Sequence, residues 1–592
     1  MTRSTAMLKR LTIILSLLLV VLGCTREQNY NEKVLNLISP QKIKGFDPIY
    51  AADMYASNEI GKVYEGLLEF HYLKRPYVLT PNLAESMPEV SKDGLTYTFK
   101  IKKGVVFQDS KVFPNGKGRE LKASDFVYSI QRMADPKLQS TGWWLLDGKI
   151  AGLNEWRDKY ASAEKVNYDE EISGLKALDT HTLQFKLVKP VPQFLYALAM
   201  TFTSAVAREV VEGYGQEFQN YPVGTGPFKL GYFDNSNRIV YEKNPTFRDK
   251  FYPTEGAPGD EERGFLADAG KKLPLVDKVI VNIIVESQPQ WLNFQKGSAD
   301  ILGVPKDNFD QTVVNGKDLH PSMASKGIKL EMVNSLDTTY IAFNHEDPLF
   351  KNNIKLRQAM SLAYDRDEAN KLFYNNTAKT AHSIIPPGIS GHKADYKNPY
   401  VAFNVEQAKK VLAEAGYPDG KGLPELSYET VGSTVARQMG EFFVKKMADI
   451  GVKVKISTNT WPELVKKTNT KAAQLFGMAW GADYPDAENF FGLLYGPNEA
   501  PGSNSSNYKN AEMDKLFKQS TIMQDSPERT ALYEQMYVMA ADQVPWIYGM
   551  HRTAVTVLHG WLKNYKYIEF TQTQIQYLNV DLESKKVLVN KL

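Results

Sequence analysis

The stretch "LSYETVGSTVARQMGEFFVKKMADIGVKVKIST", Leu426 to Thr458, decides the fold class. "LSYET" reads as a strand, "STVARQMGEFFVKKMADIG" as a helix and "VKVKIST" as a second strand. A short helix, "WPELVKKT", and a further strand, "AAQLFGMAW", follow directly. Strand–helix–strand order implies parallel pairing through right-handed crossovers, so this half of the chain is α/β. Open α/β sheets take their ligands beyond the carboxyl ends of the strands. Trp480 to Asp486, in "MAWGADYPDAENFF" (Met478 to Phe491), falls at such an end and carries two acids, Asp483 and Asp486.

Outward from this core the pattern stays mixed. "NVEQAKKVLAEAGYP" is a helix with Asn404 as cap, Gln407 completing a capping-box pattern and Gly416 as stop. Its apolar face is Ala408, Val411, Leu412 and Ala415. Nearer the start, "LTYTFKIKKGVVF" alternates as a half-buried strand does. "LKASDFVYSIQRMADP" reads as a helix with Ser124 as N-cap and Pro136 beyond its end. The Gly-, Pro- and charge-rich segment Tyr252 to Pro274 reads as a surface insertion or loop.

The first residues are expected to be a targeting signal. Arg3, Lys9 and Arg10 precede an apolar run, Leu11 to Leu22. That run is shorter than the roughly 20 residues a bilayer span needs, and it has the length of a signal-peptide core. It ends at "VLGC", whose Cys24 is the only cysteine in 592 residues. An exported chain with one cysteine has no intrachain disulfide, so core burial must stabilise it. Length and a hydrophobic fraction of 43% allow two or three domains. Three of the 71 Lys and Arg lie in the signal, which leaves 68 basic against 68 acidic residues. That balance argues against nucleic acid as a partner.

Enzyme signatures are missing. There is no P-loop, no G-x-S-x-G elbow, no H-E-x-x-H, and no cysteine left for thiolate chemistry. The eight histidines form no closely spaced pair, so neither a metal nor any other cofactor is expected. A triad assembled in space leaves no such trace, so a secreted hydrolase stays as a rival.

Six segments together carry a resemblance: "VYEGLLEF" (Val63 to Phe70), "LKASDFVYSIQRMADP", "PVGTGPFKL" (Pro222 to Leu230), "LRQAMSLAYDRDEANKLFYN" (Leu356 to Asn375), "AKKVLAEAGYP" and "WGADYPD". From about Val34 to Trp561 the chain resembles the extracytoplasmic solute-binding proteins of the peptide family, the dipeptide- and oligopeptide-binding components of ABC importers. "VLGC" likewise resembles a bacterial lipobox, with Leu22 bulkier than the usual residue there. The resemblance implies a monomeric lipoprotein, anchored at Cys24 on the outer side of a membrane, that serves permease subunits and catalyses nothing.

It also implies a periplasmic-binding-protein type II-like α/β fold, bilobed, with three domains around a cleft. A signal peptide would occupy residues 1–23. Domain I would take 24–59, 208–336 and 551–592, an inserted domain II 60–207, and a ligand-bearing domain III 337–550.

In peptide-binding members an Asp in a W-x-x-D arrangement pairs with the ligand's α-ammonium group, and here that is Trp480 and Asp483. An acceptor-only carboxylate at a cleft edge suits a group with three N–H donors, although Asp483 could instead cap the turn before Pro485. Asp486 reads as a helix N-cap. The family grips an extended peptide between two chain segments. The matching positions are Asp53, Met54 and Tyr55 on one side and Ala479, Trp480 and Gly481 on the other. Tyr340 matches a family tyrosine near the ligand, and Trp143 and Trp144 lie where the family places a lid aromatic. Some members place a basic residue three positions before the motif Trp; here it is Gly477, which leaves ligand length and the need for a free carboxylate open. Nickel chelates, haem, opines and oligosaccharides on the same scaffold are the nearest rivals to a peptide.

Overall fold

A computed structural model describes residues 31–51, 53–570 and 574–592. Cys24 and the apolar run before it lie outside the described residues.

The decisive stretch forms what its pattern predicts. Strands Leu426–Val431 and Val454–Asn459 pair in parallel, joined by the helix Thr434–Ala448. Ser433 caps that helix by accepting from the Ala436 N–H. After the helix Trp461–Asn469, the strand Leu475–Gly481 enters the sheet parallel to Leu426–Val431. Asp337–Phe343 and Trp546–Tyr548 complete five strands, both added antiparallel. One face packs Phe343, Leu356, Phe443 and Leu475 into a core, as expected for an α/β layer. Asn404 caps Val405–Glu414 by accepting from the Gln407 N–H, and Gly416 follows with φ of +95°, the left-handed stop that a Cβ would disfavour.

Two other sheets frame this one. Val34–Ser39, Phe228–Asp234, Arg238–Lys243 and Lys278–Ile283 form four strands; Ile301–Gly303, Ile328–Asn334 and Thr553–His559 form three. A separate four-stranded sheet lies wholly within residues 89–186. Two chain crossings therefore join the five-stranded sheet to the three-stranded one: Ser335–Leu336, and the segment at Arg552. They are tied together, the Ser335 N–H donating to the Arg552 carbonyl at 2.9 Å.

Two local expectations change. The helix read from "LKASDFVYSIQRMADP" runs Ala123–Ala134, so its cap position is Lys122 and Ser124 sits inside the first turn. Asp125 holds that end by accepting from the Lys122 N–H at 2.8 Å. The segment 252–274 is irregular, as its composition predicts, but it is pinned down rather than loose on the surface. Tyr252, Phe265 and Leu273 are buried, and both Asp260 oxygens accept from Lys566 Nζ at 2.6 Å.

Candidate functional site

The site is built at the end of the strand Leu475–Gly481. On one side this strand pairs along its whole length with Asp337–Phe343. On the other it pairs with Leu426–Val431 only at Leu475 and Phe476. From Gly477 to Gly481 its second edge has no strand partner among the described residues. Unpaired strand groups are a template for adding another strand. Here the template is short, half-exposed and lined by small residues at Gly477, Ala479 and Gly481.

Immediately beyond this edge the chain turns. Ala482 donates to the Leu336 carbonyl at 2.8 Å, which anchors the turn to one of the two crossings. Asn489, in the short helix Glu488–Phe491, then organises everything the motif contains. Its Oδ1 accepts from Trp480 Nε1 at 3.1 Å and from the Asp483 N–H at 2.9 Å. Its Nδ2 donates to Asp483 Oδ2 at 2.8 Å. Asp483 is thus fixed in place by a neutral amide. Among the described residues no cation acts on it, and burial pushes its carboxyl up to about 6 against the opposing effect of the Asn489 hydrogen bond. A half-buried carboxylate without a counter-charge among the described residues, beside an unpaired strand edge, is complementary to a cation followed by an extended backbone.

Asp486 is a different object. It accepts from the Glu488 N–H at 2.8 Å, but the cap position of the helix Glu488–Phe491 is Ala487, so Asp486, which its pattern places at the N-cap, stands one residue before it. Its main partner is Arg529, whose Nη1 and Nη2 donate to its two oxygens at 2.7 and 3.0 Å. The Tyr533 hydroxyl adds a contact at 3.1 Å. Gln193 Nε2, 293 positions away in the chain, reaches Asp486 Oδ2 at 3.3 Å, and the Tyr196 ring stacks on Tyr484 with centroids 5.4 Å apart. Asp486 therefore stands at a contact between chain regions distant in sequence.

The other candidates fall into two groups. Tyr55 is half-buried and close enough to Arg552 to feel its charge, and Arg552 bonds Asp337, which pairs across from Gly481. That chain of neighbours brings the Asp53–Tyr55 segment to the same end of the sheet as Ala479–Gly481. Asp53 itself caps the helix Met54–Ile60, accepting from the Ala56 N–H at 2.9 Å, while Met54 is 62% exposed. Trp144 abuts both of the large apolar clusters, whereas Trp143 packs against one of them beneath Arg157, 4.7 Å from its ring. Tyr340 lies on the same sheet face as Trp480 but is buried, 6% exposed and stacked on Trp546 at 3.7 Å. At Gly477 a Cβ would collide with the Tyr428 hydroxyl, so a tyrosine fills the place where a longer side chain would stand.

Sequence reasoning missed Asn489, Arg552, Asp337 and Arg529. Asn489 lies six residues from Asp483 and left one faint signal, an amide inside an apolar helix. Asp337 and Arg552 are 215 residues apart, and no local pattern joins them. Among the described residues no group of His, Cys, Asp and Glu is arranged to hold a metal ion, and no helix is long and apolar enough to cross a membrane.

Comparison with known proteins finds chains of similar sequence and fold. Residues 78–502 match the family described as bacterial extracellular solute-binding proteins, family 5 Middle. The chain is 28% identical over 562 residues to the dipeptide-binding protein of Escherichia coli (strain K12), covering 93% of this chain and 95% of that protein. It is 27% identical over 547 residues to heme-binding protein A of Haemophilus influenzae, covering 91% and 90%. Its fold matches the periplasmic binding protein DppA of Helicobacter pylori, solved with the peptide STSA, at a TM-score of 0.77 and 24% identity over 93% of this chain and 99% of that one.

Proposed function

The chain belongs to the bacterial extracellular solute-binding proteins of family 5, and from that premise we propose that it captures short peptides with a free N-terminus and delivers them to an ABC importer. The observation that carries this reading is Asp483, a half-buried carboxylate without a counter-charge among the described residues, next to an unpaired strand edge. The peptide's α-ammonium would pair with Asp483. Its backbone would add as a strand along Gly477–Gly481, with the Asp53–Tyr55 segment on the opposite side.

Three domains, divided near residues 59, 207, 336 and 550, would close about Ser335–Leu336 and Arg552 and bury the ligand. Backbone pairing leaves side-chain pockets tolerant, because bridging waters adapt at little cost. Nothing in this arrangement activates a nucleophile, and the protein would release its ligand unchanged. Lipidation at Cys24 would hold the protein at the membrane, since two acyl chains suffice for stable anchoring; a Cys24→Ser variant should leave the detergent phase.

Titration calorimetry with tri- to pentapeptides of varied sequence, followed by mass spectrometry of the mixture, tests the reading. Binding with the peptides recovered intact is expected. Shortened peptides would mark a hydrolase. Haemin bound in place of peptides would favour the solute named for the Haemophilus relative.

A further inference from the structure

Arg552 is exposed, and it differs from the arginines that are buried in ion pairs in what its side chain leaves unused. Arg132 places both terminal nitrogens on Asp47, Arg248 places its two on Glu65 and Asn82, and Arg529 places its two on Asp486. Arg552 bonds Asp337 through Nε alone, at 2.7 Å, while its own backbone N–H donates to the second Asp337 oxygen at 3.0 Å. Nη1 and Nη2, with four N–H donors between them, have no acceptor among the described residues. Asp337 is buried, and the Arg552 side chain keeps 44% of its surface accessible. The guanidinium is therefore clamped at its root with its terminal edge open.

Its surroundings say where that edge faces. Asp337 pairs across from Gly481 and Thr339 across from Ala479, so these four residues share one face of the sheet. Tyr374 and Tyr55 flank Arg552 there. Gly481 and Ala479 bring no bulk to that face. Glu569 also stands beside Gly481 and feels the Arg552 charge; its Oε2 accepts from the Leu336 N–H and the Tyr567 hydroxyl, while Oε1 faces Gly481. A planar fork with two free terminal nitrogens is matched by the two oxygens of a carboxylate.

We propose that Arg552, positioned by Asp337, is the receptor for a carboxylate of the bound ligand, built directly on the hinge. The inference rests on the peptide reading and narrows it, from peptides in general to peptides that present a carboxylate as well as an ammonium group. That carboxylate is either the C-terminus or an acidic side chain. Since Arg552 occupies one crossing between the sheets and bonds Asp337 beside the other, a ligand that engages it also ties the two crossings together. Ligand capture and hinge closure would then be one event.

The test uses calorimetry with Ala-Ala-Ala, its C-terminal amide and the amide of Ala-Glu-Ala, on the full-length protein and on Arg552→Gln and Arg552→Lys. The wild type should bind the free acid at least about 30-fold more tightly than the amide, the scale of a lost buried charge pair. Arg552→Gln should bring the acid down to the amide's affinity and leave the amide unchanged. Arg552→Lys, which keeps the charge and loses the fork, should fall between. Recovery by the Ala-Glu-Ala amide would assign the carboxylate to a side chain, and no recovery to the C-terminus. Equal binding of all three ligands by the wild type overturns the inference and leaves the peptide reading standing, and so does equal weakening of acid and amide in Arg552→Gln. If none of the three binds the wild type, the peptide reading falls and takes the inference with it.

Discussion

Asp483 and Asp486 stand three residues apart on one turn, yet their neighbourhoods differ in every respect that matters to a charge. Asp486 has a bidentate guanidinium, a tyrosine hydroxyl, an amide from a distant segment and a helix N–H. Asp483 has one neutral amide, and burial raises its carboxyl to about 6. A buried charge that is paired inside the protein belongs to the fold. One left without a counter-charge is a standing cost to the empty protein, and that cost is relieved when a cation arrives. On the proposed function, the difference between the two acids is the difference between scaffold and receptor.

Exchanging acid for amide at the scaffold position is the harshest way to break the comparison. Asp486→Asn leaves the Arg529 guanidinium buried without its main counter-charge, which typically costs about 3–5 kcal/mol of stability. Glu488 Oε2, 3.7 Å from Arg529 Nη2, takes up part of the charge, so the lower end is expected. Urea unfolding of the unliganded variant measures it. Where the variant is folded, its affinity for a tripeptide should stay within a few-fold of the wild type.

Asn489→Leu attacks the receptor without touching its charge. It removes the hydrogen bonds that hold Trp480, the Asp483 backbone and the Asp483 side chain. Losing buried partners of this kind costs about 1–3 kcal/mol. The loss should be visible in calorimetry as a weaker Kd, with the enthalpy of binding reduced.

The pH dependence sharpens the contrast further. Asp483 is raised from 3.8 to about 6 in the folded protein. A raised carboxyl binds its proton more tightly when folded than when unfolded. Its contribution to the stability of the empty protein is therefore full below the unfolded value and lost as pH rises through about 6. Ligand affinity runs the other way, because the ammonium pairs with the ionised form. Tripeptide affinity should rise about tenfold between about pH 5 and pH 7. The rise should vanish in Asp483→Asn, and a flat profile in the wild type would contradict the assignment.

Much of this was legible in the chain itself. The strand–helix–strand order of Leu426 to Thr458 predicts the parallel pairing that is found, because hydrophobic period is a local property. Asn404 caps where its neighbours predict. Asp483 and Asp486 could not be fully separated that way. Both are acids near a Pro-containing turn, and the partner that distinguishes them, Arg529, lies 43 residues downstream of Asp486. Tyr340 shows the same limit from the other side: alternation puts it on one face or the other, and only the stack on Trp546, 206 positions later, says which face is buried. The Asp337–Arg552 pair joins two chain crossings and has no local signature at all.

The central claim is that Asp483 is unpaired so that a ligand ammonium can pair it. The most direct measurement is calorimetry of one tripeptide and its N-acetylated form on the wild type and on Asp483→Asn. The wild type should prefer the free peptide by about 2–5 kcal/mol, roughly 30-fold to several thousand-fold in Kd. Asp483→Asn should bind both forms alike, near the acetylated level, with the unfolding midpoint of the empty protein no lower than the wild type's. Equal affinity of the wild type for the two peptides, or an Asp483→Asn variant that still prefers the free one, would contradict the account.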